Sequence, residues 1–131
     1  MKKFIICVML IVTVVCFAGC GSAIKVESFK SKYYDTEEYQ AAVDEVMSYF
    51  SGFEGCEMSE IRYAGDEAVK AEAETRGMDC DHVMVLKCTF TTDGENHENG
   101  LEPDYTYEDY GWILTRELKD GMWTVEDHGY C

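Results

Sequence analysis

The residues with the clearest capacity for chemistry lie near the C-terminus. Asp127 and His128 are adjacent, and Tyr130 follows two positions later. Histidine titrates near neutral pH, so an Asp–His pair at the open end of a fold can act as general acid and base. Neighbours on a strand point to opposite faces, however, which favours structural roles for Asp127 and Tyr130. We therefore expect no catalytic residue and no enzymatic activity, and keep the three as candidate pocket residues.

Arg116 is the fourth candidate pocket residue. On a predicted strand it shares one face with Trp112 and Leu114. A charged side chain on such an apolar face must be paired if it is buried. Arg116 therefore belongs either to a ligand pocket or enzyme site, together with Asp127, His128 and buried tyrosines, or to an internal ion pair.

The first twenty residues differ in composition from the rest of the chain. Two lysines precede an apolar run from Phe4 to Ala18, which is shorter than the ~20 residues of a membrane-spanning helix and typical of a secretory signal. The end of this run, Phe17-Ala18-Gly19-Cys20, resembles the lipobox of bacterial lipoproteins, with Phe17 where Leu is usual. The resemblance implies that Cys20 is acylated, for example with palmitate, and becomes the mature N-terminus. Two or more acyl chains would anchor the protein stably in a membrane.

The charge of the chain limits its partners. There are 11 Lys and Arg residues against 26 Asp and Glu, a net charge of −15. Removal of Lys2 and Lys3 with the leader leaves 9 basic against 26 acidic residues, or −17. Such a surface repels phosphate backbones, so we expect no nucleic-acid binding. With 47% hydrophobic and 13% aromatic residues, the chain is also too apolar for a disordered acidic tail.

Four of the seven cysteines remain after the leader and the lipidated position are set aside: Cys56, Cys80, Cys88 and Cys131. Free thiols are the first expectation. If disulfides form outside the cytoplasm, strand geometry favours Cys56–Cys80 with Cys88–Cys131. A zinc site formed by Cys80, His82, Cys88 and His128 is a third interpretation. These ligands lack the close pair spacing of zinc motifs, so we predict no metal and no cofactor.

The segment 93–109 is rich in carboxylates and tyrosines. Its carboxylates suit Ca²⁺, but their spacing is not that of a helix–loop–helix calcium site, and a solvated loop is the stronger interpretation. Tyr105, Tyr107 and Tyr110 form either a contact surface, since tyrosine is favoured at interfaces, or a cover for one end of the sheet.

Periodicity predicts the elements that position these residues. Asp35 and Glu38 form a capping-box pattern before an apolar stripe from Tyr39 to Phe50, which indicates a helix. A second helix is predicted over 67–76, and alternation predicts strands over 58–63, 83–91, 110–118 and 122–128. The predicted class is α+β, with a long N-terminal helix packed on a curved antiparallel sheet of about four strands and one extra short helix. The predicted organisation is a lipoprotein signal peptide over 1–19, a tether over 20–32 and a single domain over 33–131.

Four segments of the mature chain carry a resemblance: FEGCEMSEIRYAGDE, HVMVLKCTF, GLEPDYTYEDYGWILTR and MWTVEDHGY. In this order they resemble uncharacterised secreted proteins of Clostridia and related Gram-positive bacteria, many of them lipoproteins. The resemblance implies a cone-shaped fold similar to nuclear-transport-factor-2-like (cystatin-like) domains, and it implies no activity. We therefore expect a lipid-anchored binding or accessory module on the extracytoplasmic face of a Gram-positive cell membrane, with a protein or small molecule as its partner.

Overall fold

The computed structural model describes residues 14–16, 23–27, 29–98, 100–118 and 121–129. Cys20, Tyr130 and Cys131 lie outside these residues, as do most of the predicted signal peptide and part of the turn before the last strand. The strands are β1 (Val14–Cys16), β2 (Ala23–Val26), β3 (Cys56–Tyr63), β4 (Val83–Thr92), β5 (Thr106–Thr115) and β6 (Thr124–Gly129). The helices are α1 (Thr36–Phe50) and α2 (Asp66–Arg76), and a 3₁₀ turn (Cys80–His82) precedes β4.

The strands form one sheet in the order of the chain, from β1 at one edge to β6 at the other. Every neighbouring pair is antiparallel except β2 and β3, which run parallel. A parallel pair needs a crossover, and here α1 lies in the connection between the two strands. The sheet is therefore mixed.

The predicted fold class is wrong. The first helix has only 15 residues, about 22 Å at 1.5 Å per residue, and begins at Thr36 after β2, so there is no long N-terminal helix. From Ala23 onward the sheet has five strands rather than about four, and it is mixed rather than antiparallel. The sequence pattern does not reveal β2, since four residues with Ile24 and Val26 buried are too few to show alternation. Part of the segment assigned to the tether thus pairs with β3.

Capping and apolar spacing define α1 as the pattern predicts. The Asp35 carboxylate accepts a hydrogen bond from the Glu38 backbone N–H (2.8 Å), and the Glu38 carboxylate accepts one from the Asp35 N–H (2.9 Å). This capping box is confirmed. The ring of Phe50 lies 5.3 Å from that of Phe90 and 6.5 Å from that of Trp112, so α1 packs on the sheet face that carries these two rings.

The second helix is short and lies against β4. It buries Val69 and Ala73 and ends at Gly77, whose φ of 68° is in the left-handed region. Glycine adopts this conformation without a Cβ clash, as the sequence predicts for this helix end. Both helices thus contribute apolar side chains to one core cluster with the sheet.

A bulge in β5 sets the positions of the tyrosines. The pairing with β4 shifts between Cys88 and Phe90, and Asp109 takes a left-handed φ of 58°. Aspartate tolerates this conformation better than most residues. As a result Tyr107 and Tyr110, three positions apart, both place their ring centroids 5.0 Å from that of Phe90.

Candidate functional site

His128 is packed among aromatic rings. Its ring centroid lies 5.1 Å from that of Trp112, 5.3 Å from Tyr49, 5.5 Å from Phe53 and 5.9 Å from Tyr110. A hydrogen bond of 2.8 Å joins its Nδ1 to the Tyr110 hydroxyl. Burial raises the pKa of Tyr110 to about 12. The imidazole therefore belongs to an aromatic cluster between the end of α1 and strands β5 and β6.

Asp127 does not share this environment. In the register of β5 and β6, Trp112 lies opposite His128 while Ile113 lies opposite Asp127, so the two side chains face opposite sides of the sheet. The Asp127 carboxylate is exposed and accepts a hydrogen bond from the backbone N–H of His128 (2.9 Å). The two residues therefore do not form an acid–base pair. Tyr130, predicted beside them, lies outside the described residues.

Arg116 forms an internal ion pair. Its side chain is 2% exposed, and its Nη2 donates to the Glu38 carboxylate at 2.8 Å. The guanidinium carbon lies 4.4 Å from the Trp123 ring centroid and 5.5 Å from that of Tyr34, distances typical of cation–π contacts. Its Nε donates to the main-chain oxygen of Asp81 (2.9 Å). Of the two interpretations of Arg116, the structure supports the structural one.

The described cysteines are free thiols: Cys56, Cys80 and Cys88. Cys56 pairs with Thr92 at the end of β4, whereas Cys80 precedes its start, and ten residues of strand separate these ends by about 30 Å. The predicted Cys56–Cys80 disulfide is therefore wrong. Cys88 is fully buried and accepts a hydrogen bond from the Trp112 indole N–H (3.1 Å), and burial raises its pKa to about 11.

The four zinc ligands considered from the sequence also lie in different parts of the fold. Cys80 and His82 lie in the 3₁₀ turn before β4, whereas Cys88 is in the core and His128 is in the aromatic cluster. The four residues do not converge on one point, so the zinc set considered from the sequence is wrong.

A hydrogen-bonded pair, Asp93 and His97, lies at one end of the carboxylate-rich segment. His97 Nε2 lies 3.0 Å from both carboxylate oxygens of Asp93, and its ring lies so close to Gly55 that a Cβ there would be 2.3 Å from Nε2. The hydrogen bond to Asp93 raises the pKa of His97, while the same bond lowers the pKa of Asp93. Among the described residues of 93–109, no three potential ligands come together as a cation site.

Three side chains that no prediction from the sequence groups as a set come together at the 3₁₀ turn and the residue before it. One potential metal-ligand atom from each of Asp79, Asp81 and His82 lies within 4.8 Å of the other two. The motif Asp-x-Asp-His is the sequence signal that points to them, since a tight turn places such close neighbours on one side.

Comparison with protein-family models, with curated proteins and with solved structures finds no match to this chain. The resemblance to secreted clostridial proteins therefore stays a prediction. Among the described residues, no helix is long and apolar enough to cross a membrane.

Proposed function

We propose that the protein is an extracytoplasmic lipoprotein, anchored in the cell membrane through Cys20, whose domain acts as a binding module and not as an enzyme. The anchor is supported by the sequence of the leader, with two lysines, an apolar run and Phe17-Ala18-Gly19-Cys20 at its end. The resemblance to secreted proteins of Gram-positive bacteria supports the same location.

The observation that favours binding over catalysis is the use of the candidate catalytic groups inside the fold. His128 is surrounded by four rings and bonded to Tyr110, and Asp127 faces the other side of the sheet. The guanidinium of Arg116 is already paired with the Glu38 carboxylate inside the fold. An acid–base mechanism requires such groups to converge on a substrate, and these do not.

The face best suited to a partner is the acidic segment, residues 93–109. Tyr105 is 51% exposed, and its ring lies 4.8 Å from that of Tyr107. Glu102, Asp104 and Glu108 are exposed, and within the described part of the chain no ion pair joins them to a lysine or arginine. Carboxylates around an exposed aromatic ring attract cations through charge and through the ring face. We infer that the partner is a protein or peptide with a basic surface.

Anchoring is tested by replacing Cys20 with serine. The variant should lose all incorporation of a fatty-acid analogue in metabolic labelling, because serine offers no thiol for acylation. Cys16→Ser makes the same change at a cysteine inside the predicted signal peptide, so it is the matched control and should keep the label. Label that persists in Cys20→Ser would contradict the lipid anchor.

The binding face is tested with a lysine-rich peptide as the probe. Neutralising two carboxylates with Glu102→Gln and Asp104→Asn should weaken peptide binding by about 3- to 10-fold at low salt, and added salt should reduce the difference. Asparagine suits position 104, whose φ of 55° is left-handed. Isothermal titration calorimetry measures the change.

The control variant Glu67→Gln with Glu74→Gln changes the net charge equally, at two exposed positions of α2. Peptide binding should weaken less in this control. Equal weakening in both variants would mean that the peptide responds only to net charge, and the proposed face would be wrong.

A further inference from the structure

We propose that Asp79, Asp81 and His82 bind one Zn²⁺ ion at the turn before β4. The donor atoms of the three residues lie within 4.8 Å of one another, and Asp81 Oδ1 is 3.6 Å from His82 Nε2. Donors around a tetrahedral zinc at 2.0–2.1 Å are about 3.4 Å apart. The Asp81–His82 distance is already close to this value, and small side-chain rotations bring in the exposed Asp79.

The imidazole of His82 is oriented for this role. Its Nδ1 lies 2.9 Å from the main-chain oxygen of Arg116, which can only accept, so Nδ1 carries the proton and donates. Nε2 is then the ring nitrogen left to serve as a metal ligand, and it lies 3.6 Å from Asp81 Oδ1. A histidine that donates its other N–H to a carbonyl is the usual arrangement of a metal ligand, because this bond fixes both tautomer and ring orientation.

The main chain of the turn is held from outside. The Tyr34 hydroxyl bonds to the carbonyl oxygens of Cys80 and Val83, and the Arg116 Nε bonds to that of Asp81. Asp79 occupies the N-cap position of the turn, yet its side chain makes no capping hydrogen bond. The carboxylate is thus not used by the turn itself. Because the main chain of this turn is already held in place, binding of a metal ion costs little conformational entropy there.

An open cavity of about 300 Å³ adjoins two of the three ligands, Asp79 and Asp81. It is lined by Lys32, Tyr33, Asp79, Cys80 and Asp81. This space beside Asp79 and Asp81 can hold the fourth zinc ligand, a water molecule or an anion. One imidazole with two carboxylates suits zinc better than Ca²⁺ or Mg²⁺, which take all-oxygen sets.

The test is calorimetric titration of the chain, purified in detergent with its thiols reduced, with ZnCl₂. We expect one high-affinity ion, and Asp79→Asn and His82→Gln should each weaken its binding at least about tenfold. Asp79 is exposed, so its variant keeps the fold even if His82→Gln does not. Long-range ¹H–¹⁵N spectra should show a zinc-dependent shift at Nε2 of His82.

Two variants serve as controls because they change other potential zinc ligands. His128→Gln and Cys80→Ser should bind zinc as tightly as the unmodified chain, since neither residue belongs to the proposed set. Unchanged binding in Asp79→Asn, loss of binding in either control, or a zinc-dependent shift at His128 in place of His82 would overturn the assignment. CaCl₂ that binds as tightly as ZnCl₂ would overturn the choice of metal.

Discussion

Replacing Arg116 with methionine is expected to lower the free energy of unfolding by about 3 kcal/mol in urea denaturation. The side chain is 2% exposed and pairs with Glu38 at 2.8 Å, so its loss leaves a carboxylate without its partner. Breaking a buried pair from one side costs about 3–5 kcal/mol. The lower end applies because the Glu38 side chain is 23% exposed and can regain some hydration.

Three further contacts contribute to this effect. The Arg116 Nε–H bond to the Asp81 oxygen disappears, and so do the cation–π contacts with Trp123 and Tyr34. Methionine nearly fills the volume between the two rings, so most of the loss comes from charge and hydrogen bonding and little from a cavity.

A double-mutant cycle separates the ion pair from the rest. Glu38→Gln keeps an oxygen that can serve the capping box with Asp35, so it is the matched partner variant. The coupling between Arg116→Met and Glu38→Gln should be about 1–3 kcal/mol. A total loss below about 1 kcal/mol for Arg116→Met, with no coupling, would show that the guanidinium is not needed by the fold and would return it to the list of binding groups.

The same residues show how far the sequence leads. Local signals predict α1 well, because its cap and its apolar stripe are complete within the segment from Asp35 to Phe50. The partner of Arg116 is not predictable in this way, since Glu38 is 78 positions away and serves at the same time in the capping box. Sequence alone indicates only that a buried arginine needs a partner.

Two features of the sheet are beyond local patterns. β2 is four residues long, and its parallel pairing with β3 depends on the path of the chain through α1. The bulge at Asp109 shifts the alternation of β5, so that Tyr107 and Tyr110 meet the same ring although they are three positions apart. A period-two pattern cannot show such an inserted residue.

In the candidate site, too, local patterns predict some features, whereas contacts between distant segments determine the others. Strand alternation correctly predicts that Asp127 and His128 face opposite sides, because this depends only on adjacency. The surroundings of His128 come from α1, from the turn after it and from β5, so no local pattern contains them. Contacts between distant segments also decide which cysteines and histidines approach one another, and this separates Cys56 from Cys80.

Replacing Phe50 with alanine should cost about 3–5 kcal/mol of unfolding free energy, the usual range for an aromatic ring deleted from a core. Phe50 is 5% exposed, and its ring contacts those of Phe53, Phe90 and Trp112 at 5.1–6.5 Å. The contacts with Phe90 in β4 and Trp112 in β5 join α1 to the sheet. Urea denaturation measures the loss, and the slope of the transition should stay unchanged if the rest of the fold is intact.

The neighbouring residue supplies the control. Tyr49 has a ring of similar size in the same helical turn but is 46% exposed, and it touches Phe53, Trp112 and His128 from outside. Because roughly half of its surface is already hydrated, Tyr49→Ala should cost only about 1 kcal/mol. If Phe50→Ala costs no more than Tyr49→Ala, then α1 does not pack on the sheet through Phe50. The aromatic surroundings of His128, which rest on that packing, would then have to be placed differently.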